Sequence, residues 1–163
     1  MPTPFESAQL NLKLFELRRE AVLREARAWF LGQFHPATAD DFMRAMAGDR
    51  NASLRMLTGY WDMAASLVTF GAIDSEMFLA AHGEIVGTFA KLQPFLGEIR
   101  ARRNVPNFLK HVEAVVMSMP NAQEVLERRQ ATFRAVAEQQ AAARSGKRKT
   151  AASGGTKRRA RAR

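Results

Sequence analysis

Apolar side chains recur every three or four positions along most of the chain, a spacing typical of amphipathic α-helices. The sequence shows no sustained strand-like alternation and no Asn-Gly or Asp-Gly hairpin turn. A first helix is predicted over residues 7–31, with two apolar stripes. One stripe holds Leu10, Leu14, Leu17, Ala21, Ala28 and Leu31, and the other holds Leu12, Phe15, Val22, Ala26, Trp29 and Phe30. A helix that is apolar on two sides packs between neighbours, or between the core and another subunit.

Capping residues and helix breakers divide the rest of the chain into further predicted helices. These helices cover about residues 38–48, 51–70, 75–103, 106–119 and 121–143. Pro94 must kink or divide the helix that contains it. Gly83 and Gly87 lie four residues apart in that same helix and suggest a close approach to another helix. The predicted fold is all-α, an irregular bundle of roughly five or six helices.

The C-terminal segment differs in composition from everything before it. Its charged residues are all basic: Arg144, Lys147, Arg148, Lys149, Lys157, Arg158, Arg159, Arg161 and Arg163. They are nine of the 25 Lys and Arg residues, so the net charge of +9 comes from this segment. No large apolar residue follows Ser145, and such a segment cannot offset the entropy that it loses on ordering. The sequence therefore predicts a helical domain over residues 1–143 and a disordered Lys/Arg-rich tail over residues 144–163.

The middle of the chain carries a recognisable pattern. An aromatic-rich helix, a Gly-Ala-Ile-Asp turn and a helix that ends in arginines follow one another in YWDMAASLVTFGAIDSEMF, from Tyr60 to Phe78, and in LQPFLGEIRARR, which ends at Arg103. This pattern resembles the helical bacterial family catalogued as domain of unknown function 4760. The resemblance implies a helical fold and a bacterial origin. It implies no activity and no functional residues, and the basic tail lies outside the family pattern.

Composition excludes several classes of site and location. The chain has no cysteine, which excludes disulfides, thiolate zinc sites and cysteine nucleophiles. Glu6 and Lys13 interrupt the N-terminal region, so a signal peptide is not expected. The uncharged stretch from Met63 to Ile73 is far shorter than the ~20 apolar residues of a membrane span. We expect a soluble, cytoplasmic protein.

Three polar positions are candidates for chemistry. His82 lies in an apolar stripe and could serve as a base or a metal ligand, although a buried histidine with one hydrogen bond is the more ordinary interpretation. His111 lies near the edge of the next helix's stripe, and the sequence leaves open whether the two histidines meet. Asp62 shares a polar face with Arg55, Ser66 and Thr69, which favours a solvated or salt-bridged carboxylate.

Motifs that would assign a chemical function are missing. The sequence contains no His-Glu-x-x-His, no EF-hand loop, no Gly-rich phosphate loop and no nucleophile elbow. We therefore expect no catalytic residue, metal or cofactor, and the sequence identifies no small-molecule ligand. The cluster of Arg100, Arg102 and Arg103 ends a predicted helix, where cations complement the helix dipole.

Three functions remain open from the sequence. The first is a non-catalytic interaction or structural module, and the two-sided first helix and the spaced glycines suggest a homodimer. The alternative is a non-specific nucleic-acid-associated protein, in which the nine tail cations bind the phosphate backbone or another polyanion. The third is an enzyme of unknown type that uses His82.

Overall fold

The computed structural model describes the backbone of residues 2–159 and the side chains of residues 2–145. Over the described backbone the chain forms helices joined by turns, with no β-strand, which confirms the all-α prediction. The helices are α1 (Pro4–Arg18), α2 (Ala21–Gly32), α3 (Ala39–Ala47), α4 (Asn51–Thr69), α5 (Ser75–Ala81), α6 (Glu84–Leu92), α7 (Leu96–Arg103), α8 (Lys110–Met117) and α9 (Ala122–Arg159). They outnumber the predicted five or six because two of the predicted helices are divided.

Helices α3 and α4 begin and end where the sequence predicted. Thr38 caps α3 in a capping box with Asp41, whose Oδ2 accepts the backbone N–H of Thr38 at 3.0 Å. Such reciprocal hydrogen bonds satisfy N–H groups that have no partner inside the helix. Gly48 follows the last residue of α3, and α4 then runs without interruption over Asn51–Thr69.

The predicted first helix is wrong in its continuity, because the chain turns at Arg19 and Glu20 between α1 and α2. Neither residue is a helix breaker, so no local signal marked the turn. Carbonyl groups at the end of α1 instead find side-chain partners. Tyr60 donates its hydroxyl hydrogen to Leu14 O at 2.7 Å, and Arg27 Nη1 donates to Arg18 O at 3.3 Å. These contacts stabilise a helix end that the local sequence does not predict.

The predicted fourth helix is divided twice. The first division lies at His82, which has non-helical dihedral angles of φ −124° and ψ 41°. The second follows Leu92, where Pro94 lies in a 3-10 turn, Gln93–Phe95, as expected of a residue without an N–H group. A methyl group added at Gly83 would meet no atom within 4 Å, so the expected close approach is absent there. At Gly87 it would lie 3.6 Å from the Phe133 ring of α9.

Helix α4 lies at the centre of the fold and packs against α2, α3 and α8, while α6 packs against α9. The apolar stripe predicted for α4 is buried from Leu54 through Trp61 to Ala65. The largest fully enclosed side chains are Trp61, Phe30, Phe42, Phe78 and Phe89. One continuous hydrophobic core therefore joins residues of α1 through α9, beginning at Leu14.

Helix α9 continues to Arg159, past the boundary that the sequence placed at residue 143. Arg and Lys, which have high intrinsic helix propensity, alternate in this extension with Ser, Gly and Thr, which have lower propensity. A helix without tertiary packing is marginal in water, so the disordered tail stays a prediction. Within residues 2–159 no helix is long and apolar enough to cross a membrane.

Candidate functional site

His82 lies at the turn between α5 and α6 and is only 1% exposed. Its Nε2 forms a hydrogen bond with the Asn11 side chain, at 3.1 Å from Oδ1. The rings of Phe78 and Trp61 enclose the imidazole at centroid distances of 4.8 and 6.0 Å. The structure thus agrees with the ordinary interpretation of a buried histidine with one hydrogen bond.

Glu84, two residues after His82, is paired with a cation of α2. Arg27 binds Glu84 through two hydrogen bonds: Nε donates to Oε1 at 2.7 Å, and Nη2 donates to Oε2. Burial, with help from Arg18, lowers the pKa of His82 to about 4, although Glu84 acts in the opposite direction. The imidazole is therefore neutral at about pH 7, and it has almost no surface from which to reach a substrate.

No hydrogen bond or ring contact joins His111 to His82, and the two imidazoles have different partners. His111 Nδ1 lies 2.7 Å from Thr69 Oγ1, at the end of α4. Asp62 was expected to be solvated or salt-bridged. It is half-exposed and, among the residues whose side chains are described, forms no salt bridge, and its contact with α8 was not predicted. Its Oδ1 accepts the backbone N–H groups of His111 at 3.0 Å and Val112 at 3.2 Å, so the carboxylate caps α8.

Lys91 is the functional candidate that sequence reasoning missed. It lies on α6, is 5% exposed, and donates to the carbonyl oxygens of Phe30 (2.8 Å), Leu31 (2.9 Å) and Phe34 (2.6 Å) at the end of α2. The Phe133 ring covers the ammonium group at 4.5 Å. Burial lowers the pKa of Lys91 to about 7. The signal in the sequence was a single cation within the apolar run from Ile85 to Leu96.

A cavity of about 390 Å³ opens beside Lys91, between α6 and α9. Its apolar lining comes from Pro36, Ala37, Ala90, Pro94, Phe95, Phe133 and Ala137. Its polar lining comes from His35, Lys91, Gln130, Arg134 and Glu138. Desolvation is the main cause that lowers the pKa of His35. The cavity therefore combines an apolar interior with two cationic side chains and one carboxylate.

The outer face of α1 carries exposed apolar side chains. Phe5 is 70% exposed, Leu12 is 64% exposed and Phe15 is 45% exposed. Their spacing of seven and then three residues places them on one side of the helix. The opposite side, with Ser7, Asn11 and Leu14, is buried against the rest of the fold. The part of the second predicted stripe that lies on α1 is thus exposed, and no described part of the chain covers it.

Comparison with family models assigns most of the chain to a known family. A family described as "Domain of unknown function (DUF4760)" matches residues 4–119. The chain belongs to this family. The match extends well beyond the Tyr60–Arg103 segment that suggested it. No curated protein and no solved structure matches the chain.

The DUF4760 region spans α1 to α8, and α9 follows it. The three arginines in the last turn of α7 connect it to neighbouring helices and do not form a free basic patch. Arg100 binds Glu113 at 2.8 Å, and Arg102 binds Asp40 at 2.7 Å. Arg103 lies over the rings of Phe42 and Phe108 at 5.9 and 5.5 Å. These contacts agree with a structural role for the cluster.

The basic segment lies after the DUF4760 match. Of its nine cations, only Arg144 belongs to the residues whose side chains are described, and its side chain is exposed. The side chains of Lys147 and of the cations that follow it lie outside the described residues. Within the described part of the chain, no three His, Asp or Glu side chains converge as a metal site would require.

Proposed function

We propose that this chain is a non-catalytic interaction module that binds a second copy of itself through the outer face of α1. The observation that supports the proposal is the exposed stripe of Phe5, Leu12 and Phe15. Isolated exposed apolar residues are common, but three large ones in register on one helix form a patch suited to association. Burial of each side chain would contribute about 1.5–3 kcal/mol.

A second copy fits this stripe because the stripe is complementary to itself. When two α1 helices run antiparallel, Phe5 of one copy lies beside Phe15 of the other. Ala8 of each copy then lies opposite Leu12 of its partner, so a small side chain faces a large one. Such pairing has two-fold symmetry, which is the commonest symmetry of protein dimers. It would also cover the second apolar side of the first helix.

The non-catalytic part of the proposal rests on the surroundings of His82. A general base must come within hydrogen-bond reach of the proton that it removes. His82 already binds Asn11, is enclosed by two aromatic rings and is 1% exposed. The best catalytic candidate in the sequence therefore has a structural role.

Sedimentation velocity of the full-length chain tests self-association. We expect the wild-type protein to sediment as a dimer at tens of micromolar, and Leu12→Glu to sediment as a monomer with an unchanged circular dichroism spectrum. Met56→Glu is the matched control, because Met56 is also an exposed apolar residue on a helix but lies on α4. A monomeric wild-type protein, or equal effects of the two substitutions, would contradict the proposal.

Nucleic-acid binding through the tail is the second candidate function. It is supported by the nine cations of residues 144–163, which no acidic residue offsets. Because the segment has no aromatic residue, we expect binding without base preference. About six phosphate contacts would give a log–log salt slope of roughly −5. Deletion of residues 144–163 should abolish retention on DNA at low salt, and equal retention of the shortened chain would exclude this function.

A further inference from the structure

The cavity beside Lys91 has the size and lining of a small-molecule site. Its volume of about 390 Å³ lies toward the lower end of the range of ligand pockets in proteins, about 300–1,000 Å³. The rings of Phe95 and Phe133 and the side chains of Ala90 and Ala137 contribute to its apolar walls. A flat or chain-like hydrocarbon group of modest size would fit between these walls.

The lining of the cavity includes the buried amine of Lys91, which is positively charged below its pKa of about 7. Lys91 is 5% exposed, and among the residues whose side chains are described no carboxylate forms an ion pair with it. Its three hydrogen bonds go to the carbonyl oxygens of Phe30, Leu31 and Phe34. All three N–H groups of the ammonium are used in these hydrogen bonds. Lys91 can therefore attract a ligand through its charge, but it cannot donate a further hydrogen bond. A buried charge without a counter-charge is costly, which favours occupation by an anion.

The rim of the cavity adds a donor for that anion. Arg134 lies on the exposed side of α9 and lines the cavity, together with Glu138 one turn further along. The guanidinium can bind a carboxylate through two parallel hydrogen bonds. With one carboxylate against two cations, the charged side chains of the lining sum to one positive charge. This balance matches a monoanion better than a dianion or a cation.

We propose that the cavity between α6 and α9 binds a small hydrophobic monocarboxylate, with its apolar body between Phe95 and Phe133 and its carboxylate on Arg134, facing Lys91. The five cavity residues from α9 follow the segment that matches the family model, which ends at residue 119. The site is thus completed by a helix outside the matched segment. This role goes beyond self-association, because α1 lines no part of the cavity.

Titration calorimetry of the full-length chain with two matched probes tests the proposal. The probes are 2-naphthoate and its neutral amide, 2-naphthamide, which share one ring system. We expect 2-naphthoate to bind about tenfold more tightly at about pH 6, where Lys91 is charged. Equal affinities for the two probes would overturn the assignment of a carboxylate. Failure of both probes to bind at millimolar concentration would overturn the site itself.

Substitutions on α9 separate the charge from the cavity. Arg134→Gln should weaken 2-naphthoate binding about fivefold and leave 2-naphthamide unchanged, because it removes only the charged donor. Arg129→Gln is the matched control, since it makes the same change at an exposed position of α9 that does not line the cavity. Ala137→Phe should abolish binding of both probes by filling the space. An unchanged 2-naphthoate affinity in Arg134→Gln, or binding of either probe by Ala137→Phe, would contradict the proposed position of the ligand.

Discussion

The Asp62 carboxylate on α4 accepts the backbone N–H of His111 at 3.0 Å, and it accepts that of Val112 at 3.2 Å. It therefore caps α8 from another helix. Leu109, at the position where a capping side chain would stand, has a left-handed φ of 56° and an apolar side chain that cannot accept a hydrogen bond. Asp62 thus supplies in three dimensions what the local sequence of α8 lacks, and its negative charge complements the helix dipole.

Replacement of Asp62 should destabilise the fold. We expect Asp62→Ala to lower the free energy of unfolding by about 1–2 kcal/mol, because two N–H groups lose their acceptor. Urea denaturation measures the change, with Asp49→Ala as the control at an exposed aspartate. Hydrogen exchange at the His111 and Val112 amides should accelerate at the same time. Equal stabilities of the two variants would exclude the cap.

His82 should make stability depend on mildly acidic pH. Burial lowers its pKa to about 4 in the folded state, against about 6.5 when unfolded. Between these values the unfolded state binds more protons, so stability rises with pH and is lost as pH falls. The loss attributable to this residue is at most about 1.4 kcal/mol per pH unit. His82→Gln should show a flatter profile in urea denaturation between about pH 6.5 and 4. An NMR titration of His82 with a midpoint near 6.5 would contradict this prediction.

Lys91 should make the stability of the fold depend on pH in the alkaline range. Burial lowers its pKa to about 7, well below the usual 10.5, so above about pH 7 the unfolded state holds a proton that the folded state has released. Stability of the wild-type protein should therefore rise with pH relative to Lys91→Met, between about pH 7 and 10. Urea denaturation of both proteins across this range gives the difference. A constant difference would show that Lys91 keeps its ordinary pKa.

The antiparallel arrangement of α1 helices can be tested with cysteines, since the chain has none of its own. Phe5→Cys and Phe15→Cys, made in separate proteins and mixed, should form a cross-linked heterodimer on oxidation. Each variant alone should cross-link poorly, because positions 5 and 5 lie about 15 Å apart along the paired helices. Efficient cross-linking of Phe5→Cys with itself would instead indicate a parallel pair.

Local signals predicted some of these elements well. The Thr38 cap, the Gly48 stop and the apolar stripe of α4 determine α3 and α4 with little help from tertiary structure. The turn at Arg19 and Glu20 has no such signal, because Tyr60 and Arg27 stabilise it from other helices. The end of α5 at His82 likewise depends on contacts with Asn11 and Trp61.

One of the two candidate sites could be predicted from the sequence and the other could not. The second apolar stripe of the first helix, with Leu12 and Phe15, was visible from spacing alone, and its exposure on α1 followed once the fold was known. The cavity was not visible, because it forms where α9 packs across α6 near Gly87. Lys91 left a trace in the sequence as a lone cation in an apolar run, but its three carbonyl partners come from residues about 60 positions away.

Sedimentation equilibrium of two oppositely charged variants tests self-association through α1 most directly. Leu12→Glu and Leu12→Lys should each be monomeric, because the two position-12 side chains lie only about 6 Å apart along the paired helices, where like charges repel each other. An equimolar mixture should restore the dimer, since the two charges then attract across the two-fold axis. We therefore expect the wild-type protein and the mixture to dimerise, and each variant by itself to stay monomeric. Variants that each dimerise like the wild-type protein would show that α1 is not the interface. A mixture that stays monomeric would contradict the two-fold antiparallel pairing, and a monomeric wild-type protein would contradict self-association altogether.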